Sequence, residues 1–393
     1  MACSCRYRKK IRFSSPLFDQ KKSIYLDYNA TTPVDVRVLG EIDRANRIFW
    51  ANPSSVHSAG VGVYDMVESK RKIIADFVKT RSDYLYFCGS GTEGLGIFIN
   101  HFFQCGFNFI TTPCEHSSII KPITLLGHSR PGRINICPVD SQGQIDEEKL
   151  EHLMKESGRK KVLFYSPVNH ETGVLQNSLR IYEMAVKYGV VVVIDGIQTI
   201  HRLAPEDWAL YCDFGVITAH KIYGPKGIAA FYSRAASILT KIRSGGSQEK
   251  RLVPGTINVS GIAGFGSAVE LLNHEMKSER QFLKVLSLEL RAMLVEFGDK
   301  VIIESPENSV QGILNISLPT IDDIESLVLS LDRERIMISR FSSCTGSLSG
   351  PSKVLLAMGR TNLRASSSLR ISMGRFTKRG DLFGLVSGLK KYL

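Results

Sequence analysis

An aspartate, Asp195, closes an apolar run of four valines and an isoleucine, and a lysine, Lys221, follows a second apolar run 26 residues later. A primary amine bonds to an aldehyde as a Schiff base, and a carboxylate keeps a heteroaromatic nitrogen protonated. Placed at the ends of neighbouring strands, these two groups would grip opposite ends of one aromatic cofactor. A third feature is CGSGTEG at residues 88–94, where a strand runs into glycines and a helix opens near Thr92. Free backbone N–H groups at a helix start, with a hydroxyl beside them, favour a phosphate, so Gly91 and Thr92 are candidates for a cradle. The GK[ST] ending of a P-loop is missing. His116, in TTPCEHSSI, follows another strand end and offers a flat ring. A phosphate cradle, an amine, a carboxylate and a stacking ring together are what pyridoxal 5'-phosphate requires. Taken singly, each residue reads as ordinary: Lys221 as a surface lysine, and His116, His170 and His220 as polar residues.

The elements that must position these groups are legible as short apolar runs. Residues 84–89, 107–113, 133–139, 161–168, 190–195, 213–218 and 228–233 read as buried strands. Between them lie helical patterns such as 146–157 and 179–189, the second ending in glycine. This alternation predicts an α/β protein with a mainly parallel sheet covered by helices. After about residue 260 the pattern changes. Residues 264–298 read as one long helix with an apolar stripe through Phe282, Leu286, Leu290, Met293 and Phe297. Residues 312–319 and 368–376 read as strands of a smaller α+β unit. The expected division is a basic extension (1–22), a large domain (23–260) and a small C-terminal domain (261–393).

Composition narrows the function classes. The chain has 393 residues, 43% hydrophobic and 22% charged, within the range of globular proteins. No apolar stretch reaches about 18 residues, so a membrane span is not expected. The net charge is +12, but the basic residues are scattered and no nucleic-acid-binding motif accompanies them. The charge points instead to a cofactor phosphate or an acidic protein partner. Eight cysteines occur without CxxC or HExxH, which argues against a disulfide scaffold or a zinc site and for a reducing, cytoplasmic setting. Cys3 and Cys5 form a CxC near the start, and Cys88, Cys105, Cys114, Cys137 and Cys212 read as core or near-surface thiols. Residues 1–22 hold seven Lys or Arg and one Asp. They read as a basic extension, with organelle targeting left open.

The order of short motifs carries a resemblance. YLDYNATTPVD, NPSSVHSAG, GSGTEG, CEHSSI, NHETGVLQ, IDGIQT, AHKIYGPKG, PGTINV, SSCTGSLSGPSKVLLAMG and LRISMGRF span residues 23–378. The chain resembles the pyridoxal-phosphate cysteine desulfurases of the NifS/IscS-like class. That resemblance implies a type I aminotransferase-like fold and a homodimer. It also implies conversion of L-cysteine to L-alanine with sulfur left as a persulfide on an enzyme cysteine, for an acceptor protein in iron–sulfur cluster assembly or tRNA thiolation. It assigns Lys221 as the Schiff-base lysine, Asp195 as partner of the ring nitrogen, and His116 as stacking ring and acid or base. Gln198 falls beside the ring hydroxyl. Gly91, Thr92, Thr218 and His220 fall at the phosphate, and Thr256 reaches in from the other subunit. Arg370 clamps the substrate carboxylate through its planar fork. Cys344, in a long Ser- and Gly-rich loop, is the persulfide carrier, whose thiolate is the nucleophile.

Four departures stand against this pattern. His170 replaces the usual Asn beside the ring hydroxyl, with a bulkier ring that titrates. Val253 and Pro254 replace Arg-Ser. FSSC replaces Gly-Ser-Ala-Cys before the loop. The sequence ends at GLKKYL, where relatives often continue with a segment that docks a scaffold protein. Two alternatives follow: a selenocysteine lyase-like enzyme, or a degenerate paralogue that binds or regulates partners.

Overall fold

The computed structural model describes residues 23–129, 132–234, 239, 241, 244–340 and 350–393. In chain order these form β1 (Ile24–Tyr25), α1 (Val36–Ile48), α2 (Ser58–Phe77), β2 (Leu85–Cys88), α3 (Gly91–Gln104), β3 (Asn108–Thr111), α4 (Ser117–Ser129) and β4 (Ile134–Ile136). Then follow α5 (Glu147–Lys155), β5 (Lys161–Tyr165), α6 (Ser178–Tyr188), β6 (Val191–Asp195), β7 (Phe214–Thr218), β8 (Ala229–Ser233) and α7 (Val259–Val295). The chain closes with β9 (Ile302–Ile303), β10 (Ile313–Ser317), α8 (Ile324–Arg333), β11 (Ile336–Met337), α9 (Lys353–Ala357), α10 (Asn362–Ser366), β12 (Ser368–Ser372) and α11 (Arg379–Lys390).

All seven expected strands enter one sheet, in the order β2-β8-β7-β6-β5-β3-β4. The steps from β7 to β4 are parallel, and β8 runs antiparallel to both β2 and β7. Two reversals restore direction, so the carboxyl end of β2 opens on the same edge as those of β7, β6, β5 and β3. Alternate residues of each strand feed two cores. Leu163, Tyr165, Val192 and Ile194 face one, with α2, α6 and the first half of α7. Val162, Phe164, Val193 and Val216 face the other, with α3 and α4. Burial on both faces is why these strands read as continuous apolar runs rather than alternating ones.

The third core packs α7, α8 and α11 on the antiparallel sheet β12-β10-β9 and the parallel pair β1-β11. Helix α7, 37 residues long and so about 55 Å from end to end, serves two cores. Phe265, Leu272 and Met276 join the first, and Leu283, Leu286, Leu290 and Leu294 join the third. The expected stripe is therefore rotated. Leu286 and Leu290 are buried as anticipated, and Met293 and Phe297 pack partly buried against the core. Phe282 is 39% exposed. Steps of three and four from Leu283 hold one helical face toward the core, whereas Phe282 falls one position, roughly 100°, away. Among the described residues no helix is long and apolar enough to cross a membrane.

The rotated seam gives a direct check. Leu290→Ala should lower stability by about 2–5 kcal/mol, as large-to-small core changes do, while Phe282→Ala should cost less than about 1 kcal/mol. Urea denaturation followed by circular dichroism reads both, and equal losses would contradict the seam.

Candidate active site

Five strand ends deliver one cluster. Beyond β7, a turn of 3-10 helix (Ala219–Lys221) carries His220 and Lys221. Asp195 is the last residue of β6, with Gln198 three residues on. His170 follows β5 and His116 follows β3. Beyond β2, the amino end of α3 presents Gly91 and Thr92. These residues, with Thr218, Ser90, Ser118, Ser166 and Ala30, line a cavity of about 160 Å³.

The α3 end is held by reciprocal caps: Glu93 N donates to Ser90 Oγ at 3.2 Å, and Gly89 N donates to Glu93 Oε2 at 2.7 Å. Glycine at 91 and 94 lets this helix lie close to the sheet. A Cβ at Gly91 would meet Ile197 Cδ1 at 2.2 Å, and one at Gly94 would meet Val216 Cγ1 at 2.9 Å. The first turn of α3 thus sits directly against the segment that follows Asp195.

Each reactive side chain is fixed by an identifiable partner. Lys221 Nζ donates to the carbonyls of Asn29 and Ala30, the second at 2.8 Å. The Asn29 carbonyl also accepts from Gln198 Nε2 at 2.9 Å. Asp195 Oδ1 accepts from Ile197 N at 3.0 Å. Burial pushes the Asp195 carboxyl above its usual range, opposed by that N–H and by the charges of His170 and Lys221. His116 Nδ1 accepts from Ser118 N at 3.2 Å and lies 2.7 Å from Ser118 Oγ. The neutral ring therefore carries its proton on Nε2. Burial, and then the charges of His170, Lys221 and Arg370, lower the His116 pKa to about 3. His220 is lowered to about 4 by burial and by Lys221. Its Nδ1 lies 3.2 Å from Thr31 Oγ1.

The His170 ring meets the His116 ring edge-on, centroids 5.1 Å apart. Its carbonyl accepts from Asn29 Nδ2 and from Arg370 Nη1, both at 3.2 Å. Arg370, in β12, also pairs with Asp27 at 2.9 Å, so it sits behind His170 rather than in the cavity lining. Thr256 lies elsewhere, in a depression shared with Asn52, Tyr64, Arg71 and Glu249. Val253 packs partly buried against the core beneath α3. Cys344 lies outside the described residues.

Several supports escape a reading of residue types. The Asn29 and Ala30 carbonyls act through backbone; only their motif, YLDYNATTPVD, points to the segment. Glu115, beside His116, is buried and receives hydrogen bonds from Ser166 Oγ at 2.6 Å and Thr112 Oγ1 at 2.7 Å. Burial raises its carboxyl to about 8, opposed by those two hydrogen bonds, and the group braces Ser166 from behind.

Residues 24–384 match the class-V aminotransferase family model, and the chain belongs to that family. It is similar to the cysteine desulfurase IscS of Dictyoglomus turgidum, 32% identical over 92% of either chain. It is also similar to the IscS of Serratia proteamaculans, 33% identical over 92% of this chain and 90% of the relative. A solved NifS-like protein superposes with a TM-score of 0.85 at 26% identity, over 94% of this chain and 100% of the other. For the NifS-like protein of Rickettsia africae the values are 0.84 and 30%, over 94% and 99%.

Pyridoxal phosphate is the cofactor of this family, and the cavity fits it. Two buried polar atoms of its lining, Gln198 Oε1 and His170 Nδ1, have no hydrogen-bond partner among the described residues. The donor set of helix start, hydroxyls, carboxylate and amine is the one that this cofactor needs.

The depressed histidines set a pH dependence. A histidine held near pKa 3 when folded and about 6.5 when unfolded binds fewer protons in the native state. Its contribution to stability is full above about 6.5 and is lost as pH falls toward the folded value. In cofactor-free protein, the melting-temperature advantage of wild type over His116→Gln should shrink from pH 7.5 to pH 5. A constant difference would contradict a neutral, buried His116.

Proposed function

We propose that this chain is a cysteine desulfurase. The observation that carries the reading is the convergence of Lys221, Asp195, His116 and the amino end of α3 on one cavity, in a chain whose relatives are named cysteine desulfurases. When bound, pyridoxal phosphate supplies an electron sink for the carbanion formed at the substrate Cα.

The chain's own residues take the remaining tasks. Lys221 would hold the cofactor through its amine, and Nζ is the atom placed to move a proton. Asp195 opposes the ring nitrogen; a cationic partner there offsets the burial that raises its carboxyl. His116 stacks on the ring and has its N–H on Nε2. Gly91, Thr92, Thr218 and His220 take the phosphate, with the first turn of α3 supplying N–H groups. Gln198 and His170 flank the hydroxyl. Arg370 takes the substrate carboxylate with the N–H groups that Asp27 and the His170 carbonyl leave free. The Cys344 thiolate attacks the substrate sulfur, the bond from sulfur to Cβ breaks, and Cβ gains a proton. Cysteine plus thiol become alanine plus persulfide, with atoms and electrons balanced.

Thr256 stands apart from the cavity of its own chain, which supports a homodimer in which it completes the partner's phosphate site. The persulfide then passes to an acceptor protein. Supplied with pyridoxal phosphate, L-cysteine and a reductant, the purified protein should release alanine and sulfide in equal amounts. Lys221→Ala should lower alanine release by more than roughly a thousandfold, and Cys344→Ser should stop sulfide release. Sulfide release unchanged in Cys344→Ser would move the carrier role elsewhere, and no alanine from wild type would overturn the reading.

A further inference from the structure

Tyr223 stands two residues past Lys221 with φ 63. A bulky side chain adopts this left-handed backbone only under strain, and such strain persists where the surroundings enforce it. Ile222 N and Gly224 N both donate to the Ala219 carbonyl at 3.0 Å, closing a single tight turn. The left-handed place at the end of such a turn normally belongs to glycine. Here the glycine is the next residue, and the tyrosine takes the strained position.

The side chain is engaged on every side. It is 1% exposed. Its hydroxyl donates to Glu279 Oε1 at 2.6 Å and accepts from Arg375 N at 2.6 Å. The Arg375 guanidinium lies 4.3 Å from the ring centroid and pairs with Glu279 and Asp35, each at 3.0 Å. The Tyr223 backbone is equally tied. Its N–H donates to Thr32 Oγ1 at 2.8 Å, and its carbonyl accepts from Asp35 N at 2.9 Å. Thr32 N in turn donates to the His220 carbonyl at 3.0 Å. Residues 29–35 therefore lace along residues 220–223, and the same segment offers the Asn29 and Ala30 carbonyls to Lys221 Nζ. On the far side, Arg375 follows β12, the strand that carries Arg370.

We infer that Tyr223 is a positioning residue, whose hydroxyl holds the strained turn that aims the Lys221 amine and ties that turn to the strand bearing Arg370. The inference rests on the reading of Lys221 as the cofactor-bonding lysine. A phenol donating to a carboxylate makes a charge-assisted bond, stronger than a neutral one. Without it, the turn is free to relax toward an unstrained φ, and the amine shifts with it.

The test uses the full-length holoenzyme and Tyr223→Phe, which keeps the ring and its stacking with Arg375. The expected result is a roughly tenfold fall in kcat for L-cysteine with KM nearly unchanged. The pH at which the visible band of the lysine-bound cofactor titrates should shift, and cofactor should leave faster on dialysis. Glu279→Gln should move the same band in the same direction, and the double variant should do no more than the stronger single one, as expected for groups acting as a unit. A lower melting temperature in Tyr223→Phe, with kcat, band titration and cofactor release unchanged, would make the tyrosine merely structural and overturn the inference. Additive effects of the two variants would overturn it as well. Absence of both the band and alanine in wild type would instead remove the function on which the inference rests.

Discussion

The parallel register of β7, β6, β5 and β3 fixes everything the site does. Neighbouring strands of a sheet lie about 4.8 Å apart, so residues just past adjacent carboxyl ends are brought within reach of one small molecule. Val193 pairs with Phe214 across β6 and β7, and Val162 with Val191 across β5 and β6. These pairings rest on burial of both faces. A slip of one residue would send Asp195 and its apolar neighbours to the wrong faces. The two antiparallel steps through β8 matter equally, because they turn the end of β2 and the start of α3 toward the same edge.

A second constraint is the segment at residues 27–35, which joins the two halves of the molecule. Leu26 belongs to the smaller core, and Asp27 pairs with Arg370. Asn29 binds Ser372 through its backbone N–H at 2.9 Å and Arg202 through its side chain at 3.0 Å. The same few residues meet Lys221, Gln198 and His220. Positive charges are therefore held close to a buried carboxylate and a neutral imidazole without neutralising each other at random. The lysine rests on carbonyls, the imidazole has its Nδ1 occupied by a backbone N–H, and the carboxylate accepts from Ile197 N. Buried polar groups of this kind are tolerated because most have hydrogen-bond partners, and two that have none among the described residues, Gln198 Oε1 and His170 Nδ1, belong to the cavity lining.

Much of this was legible in the sequence. The seven strands announced themselves because burial on both faces leaves no alternation to confuse them with helix surface. Asp195, Lys221 and His116 are legible as a set because each stands at, or a few residues past, the end of such a strand. Other parts were hidden for physical reasons. The long helix is legible, and four of the five residues of its expected stripe, Leu286, Leu290, Met293 and Phe297, do meet the core; Phe282 does not, because size and hydrophobicity do not reveal phase when Leu283 lies beside it. The shared use of that helix by two cores is a tertiary fact with no composition change to mark it. The carbonyls of Asn29 and Ala30 carry no residue-type signal at all. The left-handed Tyr223 was invisible because its neighbour Gly224 is the residue that turn chemistry would have chosen. Arg370 and Thr256 are named by motifs, yet their places behind His170 and outside the cavity are set by tertiary packing.

The central claim is that one cavity, built on these strand ends, holds pyridoxal phosphate bonded to Lys221. The most direct measurement is borohydride reduction of the reconstituted protein, which makes a lysine–cofactor bond permanent, followed by peptide mapping by mass spectrometry. The account predicts a single pyridoxyl modification, on Lys221. A label on another lysine, or none, would contradict it.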